Sequence, residues 1–97
     1  MRTPVYLFGI EALGTTEAAI KTAIESEVSL GNRRRPVFYG VDRAPDGGSV
    51  RATWILRGRI VDPDARARAL LAQLETLVTR LERENISATL RTNFRKG

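Results

Sequence analysis

The chain has 97 residues, of which 42% are hydrophobic and 28% are charged. These are the proportions of a folded globular chain, and the length is that of one ordinary domain, so we expect a single domain spanning residues 1–97. The chain contains no cysteine and no histidine. This excludes disulfides, imidazole bases and the common zinc, haem and iron–sulfur ligand sets, so we expect no metal and no cofactor.

The N-terminal segment contains a short apolar run, but Gly9 and Glu11 interrupt it. It lacks the small-residue cleavage pattern of a signal peptide. No stretch approaches the roughly 20 apolar residues that a membrane-spanning helix needs. Together with the absence of cysteine, these features predict a cytoplasmic protein without a membrane partner.

The first half of the chain predicts a strand followed by a helix. Residues Pro4–Ile10 are apolar on both faces, which favours a central strand. Glu11–Gly14 predicts a loop. Thr15 or Thr16 then caps a helix with one apolar stripe, and Gly31–Asn32 is a typical end for it.

The middle of the chain predicts a hairpin. Val37–Asp42 forms a second strand, and Val50–Val61 alternates between apolar and polar residues as a third. Between them, Ala44–Gly48 combines proline, aspartate and two glycines, the composition of a tight turn. The two strands should therefore pair antiparallel.

The last third predicts a second helix and a fourth strand. Asp62 and Pro63 form a helix start, and apolar residues at three- and four-residue steps follow until Glu84–Asn85. Ile86–Phe94 alternates as a strand. The order β-α-β-β-α-β predicts an α+β, ferredoxin-like fold: a four-stranded antiparallel sheet, ordered fourth-first-third-second, with both helices on one face.

The charges divide unevenly among these elements. The first helix holds one lysine against three glutamates, and the second, counted from Asp62, holds four arginines against five carboxylates. The strands and loops hold eleven cations against three carboxylates, within a chain of net charge +5. If the helices cover one face of the sheet, the other face and its rim should be strongly positive.

A short segment of the first strand resembles a known motif. Val5–Ile10 is similar to the first-strand motif of the RNA-recognition-motif family, in which the second position is an aromatic residue that stacks on a base. The resemblance implies that role for Tyr6. The third strand departs from that family's pattern of glycine and two exposed aromatics, because Thr53 and Ile55 take the outward positions and Trp54 the inward one.

The first functional hypothesis is a non-enzymatic binding module, dimeric or higher, whose arginine-rich sheet face meets an anionic partner. Arginines beside aromatic rings on an open sheet bind single-stranded nucleic acid through phosphate contacts and base stacking, so RNA or DNA is the expected partner. The residues predicted for this role are Tyr6, Arg33, Arg34, Arg35, Phe38, Arg51, Arg57, Arg59, Arg91 and Arg95.

The alternative is a homo-oligomeric structural or regulatory assembly subunit, of the kind found in phages or other mobile elements. A sheet covered on one side only leaves apolar residues such as Phe38 and Ile55 to be hidden by self-association. The arginines would then pair with carboxylates, or their stems would simply cover the sheet.

Catalysis is not expected, because each pair of nearby carboxylates has another explanation and none is left for acid–base work. Helix capping explains Asp62 and Asp64, a solvated last turn explains Glu82 and Glu84, and the hairpin explains Asp42 and Asp46. A small-molecule-binding or catalytic dimer would need an enclosed pocket between the sheet and the helices.

Overall fold

A computed structural model describes residues 5–28, 37–57 and 62–95, with side chains described at all of these positions except 37–39. The elements follow one another in the predicted β-α-β-β-α-β order. They are β1 (Tyr6–Leu13), α1 (Glu17–Glu27), β2 (Val37–Arg43), β3 (Ser49–Leu56), α2 (Pro63–Arg83) and β4 (Ser87–Thr92).

The four strands form one antiparallel sheet ordered β2-β3-β1-β4. This confirms the predicted ferredoxin-like arrangement, in which β1 is central. β1 pairs with β3 from Tyr6 opposite Leu56 to Leu13 opposite Ser49. On its other side β1 pairs with β4, and β2 forms the far edge against β3.

One face of the sheet forms the core with the helices. Side chains that alternate along the central strands point into it, and Trp54 at its centre is fully buried. The stripe of α2 from Ala67 to Leu81 packs against the same face. The buried hydrophobic residues of the two central strands are Phe8, Ile10, Ala12, Val50, Ala52, Trp54 and Leu56.

Both helices begin with the predicted caps. The Thr16 hydroxyl accepts a hydrogen bond from the Ala19 amide at 3.1 Å, and the Asp62 carboxylate accepts one from the Ala65 amide at 3.1 Å. These bonds satisfy amide groups that have no partner within the helix. Asp62 has a left-handed backbone with φ of 55°, and Pro63 follows at the first helical position.

The hairpin between β2 and β3 has the predicted turn chemistry. The Gly47 amide donates to the Ala44 carbonyl at 2.8 Å, and the Gly48 amide donates to the Asp46 carboxylate at 2.8 Å. Gly47 has φ of 75°, a conformation that glycine adopts without steric cost.

The predicted ends of β1, α1 and β3 differ from the structure by several residues, and the boundaries of β2 and β4 differ by one or two. β1 does not end at Ile10: it continues to Leu13, because Ala12 is still buried and the segment pairs with both neighbouring strands. α1 ends at Glu27, because the following Val28 is extended and packs into the core. The predicted end at Gly31–Asn32 lies outside the described residues. β3 ends at Leu56, and residues 58–61 of the predicted strand are also outside the described range.

Candidate interaction surface

The open face is the side of the sheet that the helices do not cover. Its positions are the outward residues of the four strands, which the backbone register arranges in levels running across the sheet. The charged level consists of Asp42, Arg51, Glu11 and Thr89. The small-residue level, named after its two glycines, consists of Gly40, Thr53, Gly9 and Arg91. The apolar level consists of Ile55, Leu7 and Asn93, and the backbone of Phe38 lies at the same level.

The charged level alternates in sign across three strands. Arg51 on β3 lies opposite Glu11 on β1 and opposite Asp42 on β2. All three side chains are exposed, and within the described part of the chain none of them forms an ion pair. Elsewhere Arg43 contacts Glu17 at 3.1 Å. The charges of this level are therefore available to an external partner.

The small-residue level forms a shallow trough. A Cβ atom added at Gly9 would have Ala52 O as its nearest neighbour, at 3.8 Å, and one at Gly40 would meet nothing within 4 Å. A depression of about 170 Å³ lies over Gly9 between Arg51 and Arg91. An adjoining depression of about 330 Å³ extends from Gly9 over Leu7. Both are open to solvent on the face away from the helices.

The apolar level places aliphatic side chains on the open face. Leu7 is 46% exposed and lies opposite the partly buried Ile55. Asn93 fixes the backbone beside Leu7, because its carboxamide oxygen accepts the Leu7 amide at 2.8 Å. At the far end of the same strand, Leu13 is 49% exposed.

The predicted arginines of the sheet separate into two groups. Arg51 and Arg91 are exposed on the open face, as the alternation predicted. Arg57 and Arg95 are exposed just beyond the ends of β3 and β4, at the end of the sheet where β1 begins. The predicted residues Arg33, Arg34, Arg35 and Arg59, and the side chain of Phe38, lie outside what the structure describes.

Tyr6 lies on the helix side of the sheet and not on the open face. Its hydroxyl donates a hydrogen bond to Asp64 in the first turn of α2 at 2.5 Å, and its ring meets that of Phe94 with centroids 5.1 Å apart. The hydrogen bond to Asp64, followed by burial, raises the pKa of Tyr6 above its usual value. The expected position of Tyr6 among the open-face arginines therefore differs from the structure. Phe8, on the same side of β1, is buried in the core.

Two carboxylates change the expected charge of the open face. In the paired strands, Arg51 and Arg91 are balanced by Glu11 and Asp42, so the described open face is not the strongly positive surface that the sequence suggested. The sequence prediction counted Glu11 among the carboxylates of the strands and loops, but it assigned Glu11–Gly14 to a loop and so did not place this carboxylate on the open face. The alternation that continues through residues 10–13 was the signal that could have found it.

The described residues include no helix long and apolar enough to cross a membrane. Among the same residues, no group of three or more acidic side chains is arranged to hold a metal ion.

No protein-family model matches the sequence, and no curated protein matches it. The resemblance of residues 5–10 to the RNA-recognition motif is therefore not accompanied by a family match. Among solved structures, the chain is similar to "De novo designed protein Foldit4", with a TM-score of 0.48 and 14% identity over 96% of this chain and 100% of that one. This degree of likeness carries no functional information.

Proposed function

We propose that this chain is a non-catalytic assembly subunit that associates with copies of itself through the open face. The observation that carries the proposal is the exposure of Leu7 and Leu13, with Ile55 beside Leu7, on a face that no described element covers. Exposed aliphatic side chains on one side of a sheet are commonly hidden by another protein surface.

The charge of the open face favours a second copy as the partner. A surface with a large excess of one sign repels its own copy, whereas a surface with equal numbers of both signs can be complementary to itself. Arg51 and Arg91 are matched by Glu11 and Asp42 on this face. Self-association therefore needs no outside source of opposite charge.

The oligomeric state tests this function. Sedimentation equilibrium over a dilution series should show the native chain associating reversibly, with dissociation on dilution. Leu7→Glu should be monomeric at concentrations where the native chain is associated, because the new carboxylate would be desolvated at the contact. Ala69→Glu, on the exposed surface of α2, is the matched control and should associate like the native chain.

A native chain that is monomeric at every concentration would overturn the proposal. So would a Leu7→Glu variant that is folded by circular dichroism and associates like Ala69→Glu, since the contact would then lie elsewhere.

A second candidate function is binding of single-stranded nucleic acid at the rim of the sheet. The observation in its favour is that Arg57 and Arg95 are exposed at the same end of the sheet. In the sequence Arg33–Arg35 shortly precede β2, which begins at that end, and Arg59 closely follows Arg57. Arginine supplies planar, bidentate phosphate contacts.

This candidate is tested with labelled mixed-sequence single-stranded RNA and DNA, titrated at low and at near-physiological salt. Saturable binding at physiological salt that is lost in Arg57→Glu/Arg95→Glu and retained in Arg68→Glu on α2 would support it, because phosphate contacts weaken steeply with salt and with loss of cations. Binding at low salt only, unaffected by either change, would rule out the rim as a specific site.

A further inference from the structure

The orientation of the two copies relative to each other can be inferred from the side chains of the charged, small-residue and apolar levels. This inference rests on the proposed self-association. A two-fold contact presents the same patch from both subunits, and sheets packed face to face keep their strands within about 30° of alignment. The two-fold axis then lies between the sheets and runs either along the strands or across them. The two orientations bring different side chains together.

We propose that the axis runs along the strands, between β1 and β3. A rotation of 180° about this axis places β1 opposite the partner's β3. Each residue then faces a partner residue of the same level. At the charged level Arg51 then faces Glu11 of the partner subunit, and Glu11 faces the partner's Arg51. The contact contains this ion pair twice.

Side-chain size agrees with the same axis. At the small-residue level Thr53 faces the partner's Gly9, so its side chain enters the depression that Gly9 leaves open. The rotation also places β2 opposite the partner's β4, so that Arg91 faces the partner's Gly40, where a Cβ atom would have no neighbour within 4 Å. Large side chains therefore meet positions that have none, and the Arg91 guanidinium lies beside the partner's β2, which carries Asp42 two residues from Gly40 on the same face.

The apolar level completes the match. Ile55 faces the partner's Leu7, and Leu7 faces the partner's Ile55. Two aliphatic contacts thus lie beside the size-matched level, and no charge is set against them.

The other axis gives a poor match. An axis that runs across the strands at the small-residue level exchanges the charged level with the apolar level. It would set Arg51 against the partner's Ile55 and Glu11 against the partner's Leu7. Each charge would then lose water without gaining a counter-charge, which is unfavourable. The distribution of charge on the open face thus selects the first orientation.

Two charge-reversed variants test the orientation by mixing. Arg51→Glu alone should associate at least about tenfold more weakly than the native chain, because each contact would set carboxylate against carboxylate. Glu11→Arg alone should weaken association similarly by setting guanidinium against guanidinium. A mixture of the two should form a heterodimer, since the new carboxylate of Arg51→Glu faces the new guanidinium of Glu11→Arg. The Glu11 that the first variant keeps then faces the Arg51 that the second variant keeps.

A third variant keeps the charges and fills the trough. Gly9→Val adds a side chain where the backbone has room and where β-branched residues are favoured, so the monomer should be at least as stable as the native chain. Association should weaken because the partner's Thr53 can no longer enter. Thermal unfolding of dilute samples by circular dichroism confirms that each variant is folded.

The outcomes separate the orientation from the function. Heterodimer formation by the mixed variants, with each alone monomeric at the same concentration, supports the orientation. A native dimer that both single reversals leave intact, or reversals that abolish association and are not rescued by mixing, overturns the orientation while the proposed function stands. A native chain that never associates overturns both.

Discussion

The two faces of this sheet have the same strands and opposite chemistry. On the helix-covered face, the central strands present Phe8, Ile10, Ala52 and Trp54, each at most 2% exposed. On the open face, the same strands present charged, small and aliphatic side chains in separate levels. Burial against the helices explains the apolar composition of the covered face. The separation of charged, small and aliphatic side chains on the open face is not required for folding of the monomer. A pattern with no role inside the monomer is a reason to look for a partner.

The largest effect is expected on the covered face. Trp54→Ala removes a fully buried side chain at the centre of the sheet and should lower the free energy of unfolding by about 3–5 kcal/mol. Its neighbour on the other face, Thr53→Ala, should change the free energy by about 0.5 kcal/mol or less in the dilute monomer. Urea denaturation of both variants at one low concentration measures the contrast. If both variants lost the same free energy of unfolding, the two faces would not differ in their contribution to stability.

The start of α2, which anchors the covering layer, should show the next largest effect. Asp62→Ala should cost about 0.5–2 kcal/mol because the hydrogen bond to the Ala65 amide is lost. Asp62→Gly should cost less, since glycine adopts the left-handed φ of 55° without strain. Thermal or urea unfolding ranks the two variants. An alanine variant as stable as the glycine variant would contradict the backbone conformation at this position.

Charges within the helical layer should matter slightly to the monomer, and those of the open face should matter less. Arg80 contacts Glu27 at 3.3 Å and Glu84 at 3.3 Å, so Arg80→Ala should cost about 0.2–1 kcal/mol. Arg51→Ala should leave the unfolding of the dilute monomer almost unchanged. Urea denaturation at a concentration below self-association gives both values. A larger loss for Arg51→Ala would show that its charge serves the monomer fold.

The effect expected at the Tyr6–Asp64 hydrogen bond depends on pH. Because the pKa of Tyr6 is raised in the folded state, the bond stabilises the protein fully below the unfolded value of about 10 and is lost as pH rises through the folded value. Tyr6→Phe should therefore lower the Tm at pH 7 and have a diminishing effect above pH 10. A difference in Tm that grows with pH would contradict this sign.

The element order, the caps and the hairpin could be read from the sequence because each depends on local chemistry. The turn at Pro45–Gly48 and the helix start at Asp62–Pro63 need particular residues at particular positions, and those residues are present. The central place of β1 followed from its apolar character on both faces. Strand ends were harder, because whether Leu13 belongs to β1 depends on pairing with Ser49 and Ser87, which are distant in the chain.

The open face was only partly predictable. Alternation placed Arg51 and Arg91 outward, but it could not decide the facing of Tyr6, since both faces of β1 carry large side chains. The contact of Tyr6 with Asp64 joins residues 58 positions apart and has no local signal. The levels themselves exist only through the register between strands, and that register is set by the fold as a whole.

A distance between two copies is the most direct test of self-association through the open face. The native chain has no cysteine, so Pro45→Cys at the exposed hairpin provides one site for a spin label. With the axis along the strands both hairpins lie at the same end, and spacings of about 10 Å between sheets and 4.8 Å between strands put the labels within about 25 Å. With the axis across the strands, the five residues from Gly40 to Pro45 in each copy, at about 3.3 Å per residue, put the two labelled sites about 35 Å apart. A short distance that disappears in Leu7→Glu is the predicted result; a long distance, or none in the native chain, would contradict it.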